Sequence, residues 1–261
     1  MWSEVELPGE WRSFQKPFRI FGPLIRIDEI VAESREAGFS WYSEASQTAL
    51  KQVAGYVYDF LAQPHPNLGR DGNVCPFVPH ALQRGLFRAT IVGTSDLESV
   101  DAAMREIIPV FQAMAPASPP KGRNAEGDQI LKSIIAVFPH VGADAAPEVI
   151  DALQRRLKSA YIRAGMMVGQ FHPGCPEPGL HNPAFRPLQA PLACLAIRHI
   201  TKYDAPFMDT DEYLDGYLHL FGLEGMRRID AMRVKGGQPN LSGSLTTTPG
   251  PALRSGVGPA P

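Results

Sequence analysis

Proline placement constrains this chain more than any other feature. Each proline fixes φ, removes a backbone donor and pushes the residue before it towards extended geometry. There are 25 prolines in 261 residues, roughly twice the ordinary ~5% share. Where they cluster, neither a helix interior nor a central strand is available, so regular elements have to lie between the clusters. Prolines and glycines concentrate at 64–80, 115–128 (APASPPKGRNAEGD), 172–191 and 236–261. The last stretch holds six Gly, five Pro, three Ser and three Thr, with Arg254 as its only charge. It cannot bury enough apolar surface to offset its ordering entropy and is read as a disordered tail behind one domain, 1–235. The 115–128 stretch is read as a long surface loop or lid.

Between the breakers, hydrophobic spacing predicts alternating elements. Ser43 to Leu61 is helical, with Leu50, Val53, Val57, Phe60 and Leu61 on one face. Leu86 to Val92 reads as a strand. Ser95 to Met114 follows as a helix, with Ser95 as N-cap and Glu98 three residues on. Ile130 to Phe138 is a strand, Pro147 to Ala164 a helix closed by Gly165, and Met166 to Phe171 a short strand. Leu192 to Ile200 is almost continuously apolar, as a strand buried on both faces requires. Asp209 or Thr210 then caps a helix to Phe221, and a last helix runs to about Val234. The order predicts an α+β fold: a four-stranded mixed sheet with helices packed on it, ferredoxin-like topology being one option.

Composition excludes several classes. Lys plus Arg is 25 against 27 Asp plus Glu, a net charge of −2, so no basic surplus exists to neutralise nucleic-acid phosphates. No apolar run reaches the ~18–20 residues of a membrane span. The first residues, MWSEVE, lack a signal-peptide pattern, and three cysteines cannot build a disulfide scaffold. A cytoplasmic protein without nucleic-acid or membrane partners is the expectation. A dinucleotide fingerprint, a P-loop, a nucleophile elbow, a zinc-protease helix and the kinase signatures are all missing.

Two segments are dense in residues that make neither good core nor ordinary loop. One runs from Pro64 to His80; the other runs from Gly169 through His172, Cys175, Asn182 and Arg186 into the strand ending Arg198-His199. Rigid loops carrying His, Cys, Arg and Asn suit a site whose geometry is held without regular structure. Neutral imidazole is a common ligand of transition metals and haem iron, which brings forward His65, His172 and His199. Cys75-Pro76 could present a thiolate to haem iron. Arg198 closes an apolar strand, where an unpaired charge is expensive, so it requires Asp204 or a bound anion as partner.

At these segments the sequence resembles a bacterial family associated with natural-product gene clusters. The likeness rests on HPNLGRDGNVCPFVP, GMMVGQFHPG and GLHNPAFRPLQAPLACLAIRHITKYDAPF and covers roughly Gln63 to Met208. That family resembles histidine-ligated haem enzymes that oxidise side-chain amines of amino acids, as in lysine oxidation to 6-nitronorleucine for hormaomycin- and belactosin-type peptides. The chain departs from the pattern at Gln189-Ala190-Pro191, where the family leads one to expect Arg-Ser-Pro. If that arginine anchors substrate or propionate, substrate choice differs here.

Carried residue by residue, the likeness falls on His65, Arg70, Cys75, His172, Asn182, Arg186, Arg198, His199 and Asp204. It implies haem contacts for His65, Arg70, Cys75, His172 and Arg186. Substrate contacts fall to Asn182 and Arg198, and catalytic roles to Arg198, His199 and Asp204. The likeness does not single out the iron ligand. His172 is expected on position, because a strand end followed by a rigid Pro-Gly turn aims one imidazole; His65 and His199, then Cys75, are its rivals. The expected function is a haem b oxygenase that takes a free amino acid with O₂ or peroxide and an electron donor. The alternatives are a non-haem Fe(II) enzyme using, for example, His65, His172 and Asp204, and a haem or small-ligand carrier. Oligomeric state stays open, a homodimer included.

Overall fold

The computed structural model describes residues 21–33 and 38–235. The expected disordered tail lies outside the described residues. Chain order is β1 (Ile25–Arg26), α1 (Ile27–Val31), α2 (Glu44–Tyr56), α3 (Val78–Gln83), β2 (Phe87–Ile91) and α4 (Leu97–Ala113). Then come α5 (Asp128–Leu131), β3 (Ser133–Val137), α6 (Ala152–Arg163), β4 (Met166–Phe171), β5 (Cys194–His199) and α7 (Asp211–Lys235).

The strands form one mixed sheet in the order β1-β2-β3-β5-β4. The sheet has five strands, not the expected four. The extra strand, β1, is two residues long and pairs antiparallel with β2 through Ile25–Ala89 and Arg26–Arg88. Two residues are too few to show an alternating pattern. The β2–β3 pair is parallel, while β3–β5 and β5–β4 are antiparallel. Ferredoxin-like topology is thereby ruled out: that fold runs strand-helix-strand-strand-helix-strand, whereas here the two helical crossovers come first and the hairpin-like pair last.

Helices cover both faces. α4 and α6 bring Met104, Phe111, Leu153, Leu157 and Tyr161 onto Ile134, Leu195 and Ile197. On the other face α2 lays Leu50, Val53 and Val57 against Ile135, Val137 and Cys194. Alternate residues of one strand thus serve two cores, which accounts for the continuous apolar run of β5. α7 forms a third cluster, Leu214, Tyr217 and Ile229 against Ile162, Met167 and Ile200.

Caps set the boundaries. Ser43 caps α2, its Oγ accepting from the Ser46 N–H. Asp96, not Ser95, caps α4, because its carboxylate accepts from Ser99 N at 2.9 Å. Carboxylate and hydroxyl compete for the same donors, and the charged acceptor binds them more strongly. The two expected terminal helices run as one element broken at Gly222, whose φ is 49°. Among the described residues no helix is long and apolar enough to cross a membrane.

Candidate functional site

The first proline-rich segment leaves the π turn Val57–Leu61 that ends α2. His65 is extended (φ −137°, ψ 132°), as a residue before proline should be, and caps the short 3₁₀ turn Pro66–Leu68. Its Nδ1 accepts from Asn67 N at 3.2 Å. Gly69 follows in the left-handed region at φ 77°. Arg70 folds back on its own loop, donating to the carbonyls of Asp71, Asn73 and Val74 at 2.8–3.2 Å. Cys75 is half-buried, a free thiol against the α2 core.

The second segment is held by its own backbone. Gly179 N donates to Phe185 O at 2.8 Å and Phe185 N to Asn182 O at 3.1 Å. Tyr56 of α2 donates from its hydroxyl to Pro187 O at 2.8 Å. Asn182 ties the segments together: Nδ2 donates to Asn67 O at 2.8 Å, and Oδ1 accepts from Ala184 N at 3.0 Å.

The segments meet at an aromatic stack. The His65 and Phe185 rings lie 4.6 Å apart and nearly parallel, with Phe60 at 5.7 Å from His65. Tyr56 and Phe171 extend the row back to the end of β4. An open groove of about 550 Å³ lies here, lined by Phe60, His65, Asn182, Phe185, Arg186 and Gln189 among others. A second depression of about 330 Å³ shares His65 and adds Arg70 and Asp71. Arg186 uses Nη1 on the Pro183 and Phe185 carbonyls and keeps the rest of its guanidinium for another partner.

The other expected site residues lie apart from this groove. His172 has no exposed surface. Its Nε2 lies 3.0 Å from Asp151 Oδ1, and its Nδ1 has no partner. Burial pushes the neighbouring Cys175 thiol up to about 11. Arg198 pairs with Asp204 through two contacts of 2.5 and 2.8 Å and also donates to His199 O. Burial opposes the Arg198 charge, and the Asp204 carboxylate more than offsets it, so its pKa rises above the ordinary value. Asp204 additionally accepts from Thr201 N and Oγ1. The anionic partner required by an arginine at the end of β5 is therefore Asp204.

His199 points to the opposite face of β5, as strand alternation demands. Its Nδ1 lies 3.1 Å from Gly165 O and its Nε2 3.1 Å from Ser118 Oγ. Lys132, fully buried, donates to Met114 O, Pro116 O and the same Ser118 Oγ. Burial drives the Lys132 pKa down to about 8, with Arg88 adding to the shift.

Of the nine residues singled out in the sequence, the fold gathers His65, Arg70, Asn182 and Arg186 around one stack. It leaves Cys75 and the buried His172 outside the groove lining, and Arg198, His199 and Asp204 as braces of β5. The ligand set His65, His172 and Asp204 is not assembled. Among the described residues the one cluster of three metal-ligating side chains is Asp151, His172 and Cys175. Sequence reasoning missed Asp151, Phe60 and Phe185. Asp151 follows Val149 and Ile150 in a helical stripe and reads there as an ordinary polar position.

Fold and site together define a three-layer α+β domain in which two proline-rigid loops close an aromatic, arginine-flanked groove. By sequence the chain belongs to the family described as a domain of unknown function, DUF6875, whose match spans residues 50–232. That span runs from within α2 to within α7 and includes both segments. No curated protein and no solved structure matches the chain.

Proposed function

We propose that this chain is a haem-dependent oxygenase of natural-product biosynthesis. It N-oxygenates the side-chain amine of an amino acid such as L-lysine, towards a nitro product, at the groove beside His65. One observation carries the reading: the two segments that bear the family likeness, distant in sequence, meet face to face at the His65–Phe185 stack.

Haem needs an accessible imidazole nitrogen, a flat apolar wall and cations for its propionates. His172 offers no access, and both His199 nitrogens are engaged. His65 lines both cavities, packs in one ring cluster with Phe60 and Phe185, and has Arg186 and Arg70 beside it. The residues fit the group at His65, which replaces His172 as the proposed ligand. The 3.2 Å contact from Asn67 N to Nδ1 sits at the weak end of hydrogen bonding and yields readily.

Haem, when bound, supplies the oxidising chemistry for O₂ or peroxide. The protein supplies the rest. Arg186, with only Nη1 used on carbonyls, presents its remaining N–H groups to a haem propionate. Phe60 and Phe185 strip water from the side-chain amine; an ammonium moved out of water loses its proton more readily, which frees the nitrogen lone pair for oxidation. Asn182 positions the walls through one bond at each end of its amide, and its second N–H and second oxygen lone pair remain for substrate in the groove it lines. Gln189, which stands where the family leads one to expect arginine, leaves the groove with one fewer cation for an acidic substrate group.

The test is an absorption spectrum of full-length protein produced with a haem precursor, followed by mass spectrometry of lysine incubated with peroxide or a reductant. A Soret band that disappears in His65→Ala and persists in His172→Ala is the expected result. Reconstituted protein without a Soret band overturns the reading. Haem bound without turnover of any amino acid favours the carrier reading.

A further inference from the structure

We propose that Asp151, His172 and Cys175 form a second, buried site for a divalent transition metal of the zinc class, separate from the groove. A carboxylate oxygen, a ring nitrogen and a thiol sulfur from these residues lie within 4.8 Å of one another, and all three residues are buried. The ring nitrogen and the thiol sulfur are zinc donors, and a carboxylate is the usual partner that orients a zinc-bound histidine.

The state of the His172 ring points to a ligand independently of the cluster. A carboxylate only accepts, so Nε2 carries the proton donated to Asp151 Oδ1 at 3.0 Å. Nδ1 then holds a lone pair, fully buried and with nothing to bond. Buried polar atoms without partners are rare and call for an explanation. Nδ1 faces the turn that carries Cys175: a Cβ placed on Gly174 falls 3.9 Å from it. A cation between Nδ1 and the Cys175 sulfur satisfies that lone pair. It leaves Asp151 doing what carboxylates do behind metal-bound histidines, holding the ring through its other N–H.

Charge closes the account. One thiolate and one carboxylate balance a divalent ion, so no net charge is buried. On binding, the S–H bond breaks, the sulfur pair forms the metal bond and the proton leaves to solvent. Asp151 ends the π turn Pro147–Asp151 ahead of α6, while His172 and Cys175 open the second rigid segment. The ion therefore pins that segment to the helical layer.

The test uses full-length protein without haem supplementation, dialysed and then given Zn²⁺ or Co²⁺. The expected result is one equivalent per chain and, with cobalt, a thiolate-to-metal charge-transfer band in the near ultraviolet. Cys175→Ser should abolish the band, and Asp151→Asn should weaken binding about 10–100-fold. Cys75→Ser and His65→Ala should leave both intact, which separates this site from the groove. Should Cys175→Ser fail to fold, alkylation of the wild type decides: zinc should protect Cys175 and a chelator should expose it. Folded wild type that takes up no stoichiometric metal, a band unchanged in Cys175→Ser, or alkylation indifferent to zinc overturns the proposal.

Discussion

His199 makes the protein acid-sensitive in a definable window. The side chain is almost fully buried, with Phe111 packed 5.0 Å from its ring. Gly165 O can only accept, so Nδ1 carries the proton, and Nε2 accepts from the Ser118 hydroxyl. Burial disfavours the imidazolium, the Gly165 carbonyl favours it, and Lys132 disfavours it again, leaving the pKa pushed down from 6.5 to about 4. Above pH 6.5 the ring is neutral in both folded and unfolded chains and contributes no pH dependence. As pH falls from 6.5 to about 4, the unfolded chain binds a proton that the folded chain refuses, so stability falls. At ~1.4 kcal/mol per pH unit the loss totals about 3 kcal/mol, a sizeable part of the 5–15 kcal/mol typical of a domain. Urea unfolding of wild type and His199→Gln, measured from pH 7.5 to 4.5, isolates this contribution, because all other titrating groups are common to both proteins. The wild-type curve should drop by more than 2 kcal/mol relative to the variant. Parallel curves would show that His199 takes up its proton in the fold as easily as in water, and would refute the assignment of tautomer and burial.

Asp204→Asn should cost about 3–5 kcal/mol, because it leaves the Arg198 charge without its partner and weakens the Thr201 cap; a denaturation midpoint within error of wild type would contradict that. Lys132→Met removes the donor shared by Met114 O, Pro116 O and Ser118 Oγ. It should lower stability by about 2–4 kcal/mol and speed tryptic cleavage at Lys121 and Arg123, whereas unchanged cleavage would mean the 115–128 loop is held elsewhere. Gly69→Ala should lower the melting temperature and distort the groove, since φ is 77° and the added Cβ would stand 2.7 Å from His181 O. The strain alone is worth about 1–3 kcal/mol; a variant with wild-type stability and ligand content would show that the loops tolerate the displacement.

Much of the fold was legible because its signals are local. The four long strands sit inside the apolar, β-branched runs read from the sequence, and α2, α4 and α6 follow their stripes. Gly165 and the break at Gly222 mark helix ends through the φ that glycine alone adopts easily. What escaped is set by contacts distant in sequence. β1 is a strand only because β2 offers it an edge. His172 looked like a ligand facing a cavity because a strand end followed by Pro-Gly is usually exposed. Its burial is decided by Asp151, 21 residues earlier, which no local pattern couples to it.

The candidate groove divides along the same line. Proline made both rigid segments conspicuous, and each keeps the local geometry its prolines dictate: His65 extended before Pro66, and the 172–191 loop turning on its own backbone hydrogen bonds. Rigidity within a segment says nothing about what it faces. That is decided by a few positions whose partners lie over a hundred residues away: Asn182 reaching Asn67 O, Gly69 letting His181 approach, and Tyr56 holding Pro187 O. Two preformed loops held by so few ties lose little further entropy when a ligand enters between them, which is the condition for positioning a reactive group without regular structure. The same economy makes the ties vulnerable. A substitution at Asn182 or Gly69 leaves each segment's own turns intact and changes only their juxtaposition, so these two positions should affect ligand content before they affect the helices and sheet behind them.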